Sequence, residues 1–325
     1  MRGLDSFRAV RSFAQKSGSH VFHLGDVWHV KGALPVREYL AFLRELDEWE
    51  KAGLNLTIMV GNHDFATADG REHTLSAMKD RYKFVRVVDE PTTGSFPDGT
   101  TVALLPYRPR PQDLTEWLKA HAGHKYVFMH HGIVGAVMNS GDVDNDGVDG
   151  ADLDPQSRYF SGHYHKHQKV GAVQFVGSPY QTNFGEEGER KGFIDLNLED
   201  GSFQHRRLMF PEHKTIKIDL DGDPKADLRA AILALKPHEK FIRLKVRAQV
   251  LEGRRDEIQA LQDQVDALPS CDRSVVQTIK TERAEVRLKD ALSRPISDLV
   301  PDFVGNAPNA AELTAAGLRF LGDPS

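Results

Sequence analysis

An α/β fold followed by a small α+β region is what this sequence predicts, on two observations. Up to about Thr215, short apolar runs that read as buried strands alternate with apolar stripes at helical spacing. Several of those runs stop at a glycine turn loaded with Asp, Asn or His. From Thr215 onward such turns disappear, and strict alternation is interleaved with helical repeats, the pattern of a small α+β domain.

Bulk properties set the outer bounds. With 325 residues the chain can hold about two domains, and a buried core is easily reached. Hydrophobic content of 40% beside 27% charged residues is that of a soluble globular protein. No apolar run approaches the ~20 residues of a membrane span and no signal peptide is visible, so a cytoplasmic location without membrane partners is expected. The single cysteine, Cys271, excludes an internal disulfide framework, fits a reducing compartment and reads as a small semi-buried apolar residue. A net charge of -5 argues against a nonspecific polycation, so any nucleic-acid binding has to come from local basic patches and from metal ions.

The elements follow in order. Leu4, Phe7, Val10 and Phe13 make one face of a helix over Leu4 to Lys16. Val21 to Leu24 is a strand that runs into Gly25-Asp26-Val27-Trp28-His29. Val36, Leu40, Leu43, Leu46 and Trp49 predict a covering helix, and Leu56 to Val60 is the next strand, ending in Gly61-Asn62-His63-Asp64. Strand, helix, strand is a parallel crossover unit. Leu75, Met78 and Tyr82 mark a shorter helix, and Phe84 to Val88 and Thr101 to Leu105 are strands, the second after a Phe96-Pro97-Asp98-Gly99 turn. Arg108-Pro109-Arg110-Pro111 reads either as a stiff polar linker or as a phosphate contact. Tyr126 to Met129 runs into His130-His131-Gly132, and Tyr159-Phe160-Ser161 into Gly162-His163-Tyr164-His165.

An amide oxygen, imidazoles and carboxylates crowded onto tight turns make poor core material and good metal chemistry. Four such strand ends are expected to place them along one sheet edge, the carboxyl edge where ligands of open α/β sheets bind. Between the last two lies Asp142 to Gly150, which imitates the start of a calcium loop, although its twelfth position is Leu153 rather than a bidentate Glu. An acidic loop beside the site is the default reading there, and calcium the alternative.

Beyond Thr215, Ile216, Ile218 and Leu220 alternate, as do Ile242, Leu244, Val246, Ala248 and Val250, while Leu228, Ile232 and Leu235 and then Ile258, Leu261, Val265 and Leu268 repeat helically. Opposite the second alternating set stand Arg243, Lys245 and Arg247, successive cations about 7 Å apart. They form either a track for a phosphate backbone or a solvated face paired by acids. After Arg294, prolines precede an apolar stripe of Leu313, Leu318 and Leu321, which docks on a partner or packs back on its own chain.

The order Gly-Asp-x-x-His, Gly-Asn-His-Asp, His, Gly-His-x-His between Gly25 and His165 resembles the calcineurin-like metallophosphoesterase superfamily. The block from Phe175 to Glu186, Phe-Val-Gly-Ser-Pro-Tyr-Gln-Thr-Asn-Phe-Gly-Glu, with Arg190-Lys191-Gly192-Phe193 behind it, is similar to the Mre11/SbcD nucleases, especially the phage-type members. The resemblance implies a metallophosphoesterase βαβ sandwich over residues 1–212, a small α+β capping and DNA-binding domain over 213–292, and a helical tail over 293–325. It implies two divalent metal ions, manganese above all, although oxygen and imidazole donors also admit iron or zinc. Asp26 would bridge them; Asn62, His130 and His163 would complete one ion, with His131 the second candidate for the His130 role, and His165 would bind the other. His63 would give the leaving oxygen its proton, oriented by Asp64, and His29 would steady the phosphate.

Family members open with a strand ending in Asp-x-His that gives two ligands to one ion, and nothing before Leu4 supplies it. An internal start, a truncated reading frame or a reduced site would each explain this, and the second ion would be left with Asp26 and His165 alone. Three functions are therefore carried forward. The first is a DNA nuclease acting with an SMC-like ATPase of the Rad50/SbcC kind in repair or recombination, alone or as a homodimer. The others are a phosphoesterase for small phosphate esters and a non-catalytic DNA-binding scaffold with a lapsed site.

Overall fold

The computed structural model describes residues 2–29, 34–219, 240–249, 259–260, 263, 273–280 and 310–320. Contacts divide the chain into two compact units, Met1–Lys214 with His238–Phe241, and Thr215–Pro237 with Ile242–Ser325.

In the first unit β1 (Val21–His23), β2 (Leu56–Met59) and β3 (Val85–Val88) form a parallel sheet in that order. A six-stranded sheet runs β4-β5-β6-β7-β9-β8. Its members are β4 (Thr92–Ser95), β5 (Thr101–Leu105), β6 (Tyr126–Met129), β7 (Arg158–Ser161), β8 (Gln168–Val170) and β9 (Val173–Phe175). The central four are parallel, and β4 and β8 close the edges antiparallel. β10 (Gly192–Leu196) and β11 (Phe203–Arg207) form an antiparallel pair of their own.

Period-2 side-chain alternation sorts these strands into layers. Ile58, Val85 and Val87 face Phe7 of α1 (Arg2–Ser17) and Phe42, Leu46 and Trp49 of α2 (Val36–Lys51). Met59 and Val88 turn the other way and meet Val102, Leu104, Tyr126, Phe128 and Phe160 of the larger sheet. Val127, Met129 and Tyr159 then face Leu114 and Leu118 of α3 (Pro111–Ala120). The result is helix, sheet, sheet, helix, with strands covered on both faces. Double cover is why β2 and β6 read as unbroken apolar runs.

Several sequence expectations need correcting. The four ligand-bearing strand ends do not lie on one sheet edge: β1 and β2 belong to the smaller sheet and β6 and β7 to the larger. The buried face of α2 is Phe42, Glu45, Leu46 and Trp49, whereas Val36 and Leu40 are exposed, so only the second half of the predicted stripe packs. The helix expected around Leu75 to Tyr82 is a single 3₁₀ turn, Ser76–Met78. Arg108 to Arg110 lie in the connection between β5 and α3, as the linker reading expects, and Pro111 opens α3, where a missing N–H costs nothing.

β12 (Glu212–Asp219), β13 (Lys240–Gln249) and β14 (Arg273–Lys280) form one sheet in that order. β13 pairs parallel with β14, so the chain must cross over between them. α4 (Ala310–Phe320) covers the expected tail stripe in part, with Leu313 exposed. The predicted repeats at Leu228 to Leu235, Cys271 and Leu321 lie outside the described residues. No helix among the described residues is long and apolar enough to cross a membrane.

Candidate active site

The carboxyl ends of β1, β2, β6 and β7 meet where the two sheets face each other, and Asn62 is the hub. Its Oδ1 stands 3.1 Å from His130 Nε2 and 3.1 Å from His163 Nδ1. His130 Nε2 is also 3.3 Å from Asp26 Oδ2. The backbone accepts strain to bring these groups together. Of the three described non-glycine residues with left-handed φ, two are Asp26 (φ 57°) and His163 (φ 46°). Gly25 keeps the approach open, since a Cβ there would lie 2.3 Å from His130 Nδ1.

Each ring is aimed by its other contacts. His130, almost fully buried, donates from Nδ1 to the Leu24 carbonyl, which turns Nε2 toward Asn62 and Asp26. Asp26 Oδ1 accepts the His63 N–H at 2.8 Å, leaving Oδ2 to face His130. His131 points elsewhere: it is buried, its Nε2 donates to the Pro106 carbonyl, and burial pushes it down to about 3.

The electrostatics fit a cation. Burial alone would raise the Asp26 carboxyl, but the charge and hydrogen bond of His130 and the His63 N–H hold it well below the usual range. Burial alone would lower His130, and Asp26 reverses that, so its net shift is upward. Burial, then the His130 charge, push His163 down to about 3, which keeps its lone pair available. His130 Nε2 thus faces two oxygens, Asn62 Oδ1 and Asp26 Oδ2, and His163 Nδ1 faces the same Asn62 oxygen. Donor separations of 3.1 to 3.3 Å match the ~3 to 3.5 Å spacing of ligands held about 2.1 Å from one ion. Counting only His, Cys, Asp and Glu, no group of three among the described residues could hold an ion. Asn62 supplies the joining oxygen.

His165 is set apart and shares no hydrogen bond with the hub. Its Nδ1 donates to Glu186 Oε1 at 2.7 Å, and its ring lies 6.3 Å from that of His29. His29 in turn stacks on His63 at 5.9 Å.

The chain is similar to a phage exonuclease subunit. Exonuclease subunit 1 of Enterobacteria phage T4 is 25% identical to it over 221 residues, 64% of this chain and 64% of that protein. The match therefore spans less than two thirds of the relative's length. No family model matches the chain.

Beside these placements the structure changes one assignment and adds residues. Asp64 does not touch the His63 ring. It is fully buried beneath the turn, where its carboxylate accepts N–H groups from Asp26 (2.9 Å), Gly61 (2.8 Å) and Trp28 (3.3 Å). Burial pushes it up to about 7 against the pull of those donors. The group that orients His63 is the His29 carbonyl, which accepts from Nδ1 at 2.7 Å.

Tyr107, just past the end of β5, stacks on His163 (6.0 Å, 18°) and on His131 (5.5 Å, 20°). Strand pairing brings it there, since Leu105 at the end of β5 sits opposite Met129 at the end of β6. The acidic loop is self-contained: Asp144 accepts from Tyr164 Oη at 2.7 Å and from the N–H groups of Asp146 and Gly147. Its carboxylate is spent inward, which argues against the calcium reading.

Proposed function

We propose that this chain is a metal-dependent DNA nuclease subunit of the metallophosphoesterase kind. The observation that carries the reading is the convergence of Asp26, Asn62, His130 and His163 from four strand ends. Similarity to an exonuclease subunit supports DNA as the substrate and a partner in a complex, which the family resemblance makes an SMC-like ATPase.

Asp26, Asn62, His130 and His163 would hold one ion, with manganese the expected metal, and Asp26 and His165 would contribute to a second. When bound, such ions neutralise charge on the phosphoryl oxygens and provide an activated nucleophile. The side chains do the rest. His63, with its Nδ1–H committed to the His29 carbonyl, keeps Nε2 for the leaving oxygen and, as the imidazolium, would serve as its proton donor. His29, stacked on His63 and exposed, is placed to steady a phosphate.

A small-ester phosphoesterase would use the same hub. A panel assay separates the two, and manganese-dependent release of nucleotides from linear duplex is the expected outcome. Turnover of small phosphate esters with no release from DNA would replace the nuclease reading.

The positions Arg243, Lys245 and Arg247 fall two apart on β13. Arg243→Ala with Lys245→Ala is expected to weaken duplex binding and to flatten its dependence on log salt by about two units. An unchanged slope would take β13 off the DNA path.

A further inference from the structure

His165 is pinned at every polar atom but one. Its N–H donates to Asn139 Oδ1 at 2.7 Å, and its carbonyl accepts from Ser178 N at 2.9 Å and from Lys191 Nζ at 2.8 Å. Nδ1 faces Glu186 Oε1 at 2.7 Å. Nε2 alone is left without a partner.

The group on Nδ1 is itself locked. Glu186 is 4% exposed and Lys191 5%, and their side chains pair at 3.0 Å. The Thr182 hydroxyl donates to the same Oε1 at 2.7 Å, and the Thr182 N–H to Oε2 at 2.9 Å. Glu189 adds a second carboxylate to Lys191 at 2.9 Å. An oxygen that already accepts from a hydroxyl and belongs to an ion pair can only accept from His165 as well. The proton on the imidazole must then be on Nδ1.

We propose that Glu186, held by Lys191 and Thr182, is a positioning residue that fixes His165 in its Nδ1–H tautomer and presents Nε2 as a preset donor. A surface histidine exchanges tautomers and rotates; this one is delivered in a single state. The device matters because a histidine whose far nitrogen is already fixed meets an ion without first sorting its tautomers. That last step rests on the metal reading above, but the tautomer lock does not.

The experiment follows the His165 ring by long-range ¹H–¹⁵N correlation in the full-length, metal-free protein. Wild type should show one Nδ1–H tautomer, and Glu186→Gln a mixture or the Nε2–H form. In titrations with manganese alone, Glu186→Gln should weaken one binding event about 10- to 100-fold and leave the other unchanged. An Nδ1–H tautomer unaltered in Glu186→Gln would overturn the lock. Absence of any manganese binding by wild type would overturn the metal reading and leave the lock standing. Should Glu186→Gln fail to fold, Glu186→Asp, which keeps the charge facing Lys191 but draws the carboxylate back from Nδ1, is read the same way.

Discussion

Replacing His63 by alanine is expected to cut duplex cleavage by about 10²- to 10⁴-fold while manganese binding stays within twofold of wild type. The hub shows why the two effects should separate. His63 contributes its backbone to the cluster, through the N–H that Asp26 Oδ1 accepts, and an alanine keeps that bond. Its ring shares no hydrogen bond with Asn62, His130 or His163; it is bonded to the His29 carbonyl and stacked on the His29 ring. On the proposed reading, loss of the ring therefore removes the proton donor and leaves the proposed ligand set intact. Manganese titration by calorimetry beside a cleavage assay reads both. A variant that binds no metal would make His63 a ligand, and one that cleaves normally would remove it from the chemistry.

Strand ends were the most legible part of the sequence, because a strand covered on both faces writes an unbroken apolar run and the turn after it stands out. β1, β2, β6 and β7 all stop within a residue or two of where Leu24, Val60, Met129 and Ser161 suggested. Which sheet each strand joins was not legible. Val21-Phe22-His23 and Tyr126-Val127-Phe128-Met129 look alike as patterns, and only pairing separates them. Helix faces were legible where both ends of a stripe are covered. The α2 stripe failed at Val36 and Leu40 because the face that packs runs through Tyr39, Phe42, Leu46 and Trp49.

Within the site, residue types at strand ends identified the groups that gather at Asn62, but partners across the fold could not be read. Asp64 follows His63 directly, which made it look like the orienting group. A residue cannot easily bond its neighbour's ring from inside a tight turn, and the carboxylate folds back beneath three N–H groups instead. Glu186 is 21 positions from His165, beyond the reach of any local pattern. Lys191 entered the sequence reading only through the Arg190-Lys191-Gly192-Phe193 block, and its burial against Glu186 is a matter of tertiary packing.

The second large effect is expected at a residue with no side chain. Gly61 sits where the end of β2 passes the end of β1, and a Cβ there would lie 2.2 Å from Asp26 Oδ1 and 2.3 Å from the Asp26 backbone nitrogen. Neither atom can yield freely. The Asp26 N–H and the Gly61 N–H are strapped to the same Asp64 oxygen, at 2.9 and 2.8 Å, and Asp26 Oδ1 is engaged by the His63 N–H. Gly61→Ala must therefore push the two turns apart by most of an ångström, dragging Asp26 away from His130. The strain should cost about 1–3 kcal/mol, lowering Tm by several degrees for a unit of this size. Manganese affinity should fall by more than tenfold, because the donors lose their common centre. Gly150→Ala is the matched control, since a Cβ there meets nothing within 4 Å and both readouts should stay at wild type. Equal Tm and equal manganese affinity in Gly61→Ala would mean that the β1 and β2 ends do not approach this closely, and with that the proposed metal site around Asn62 would lose its basis.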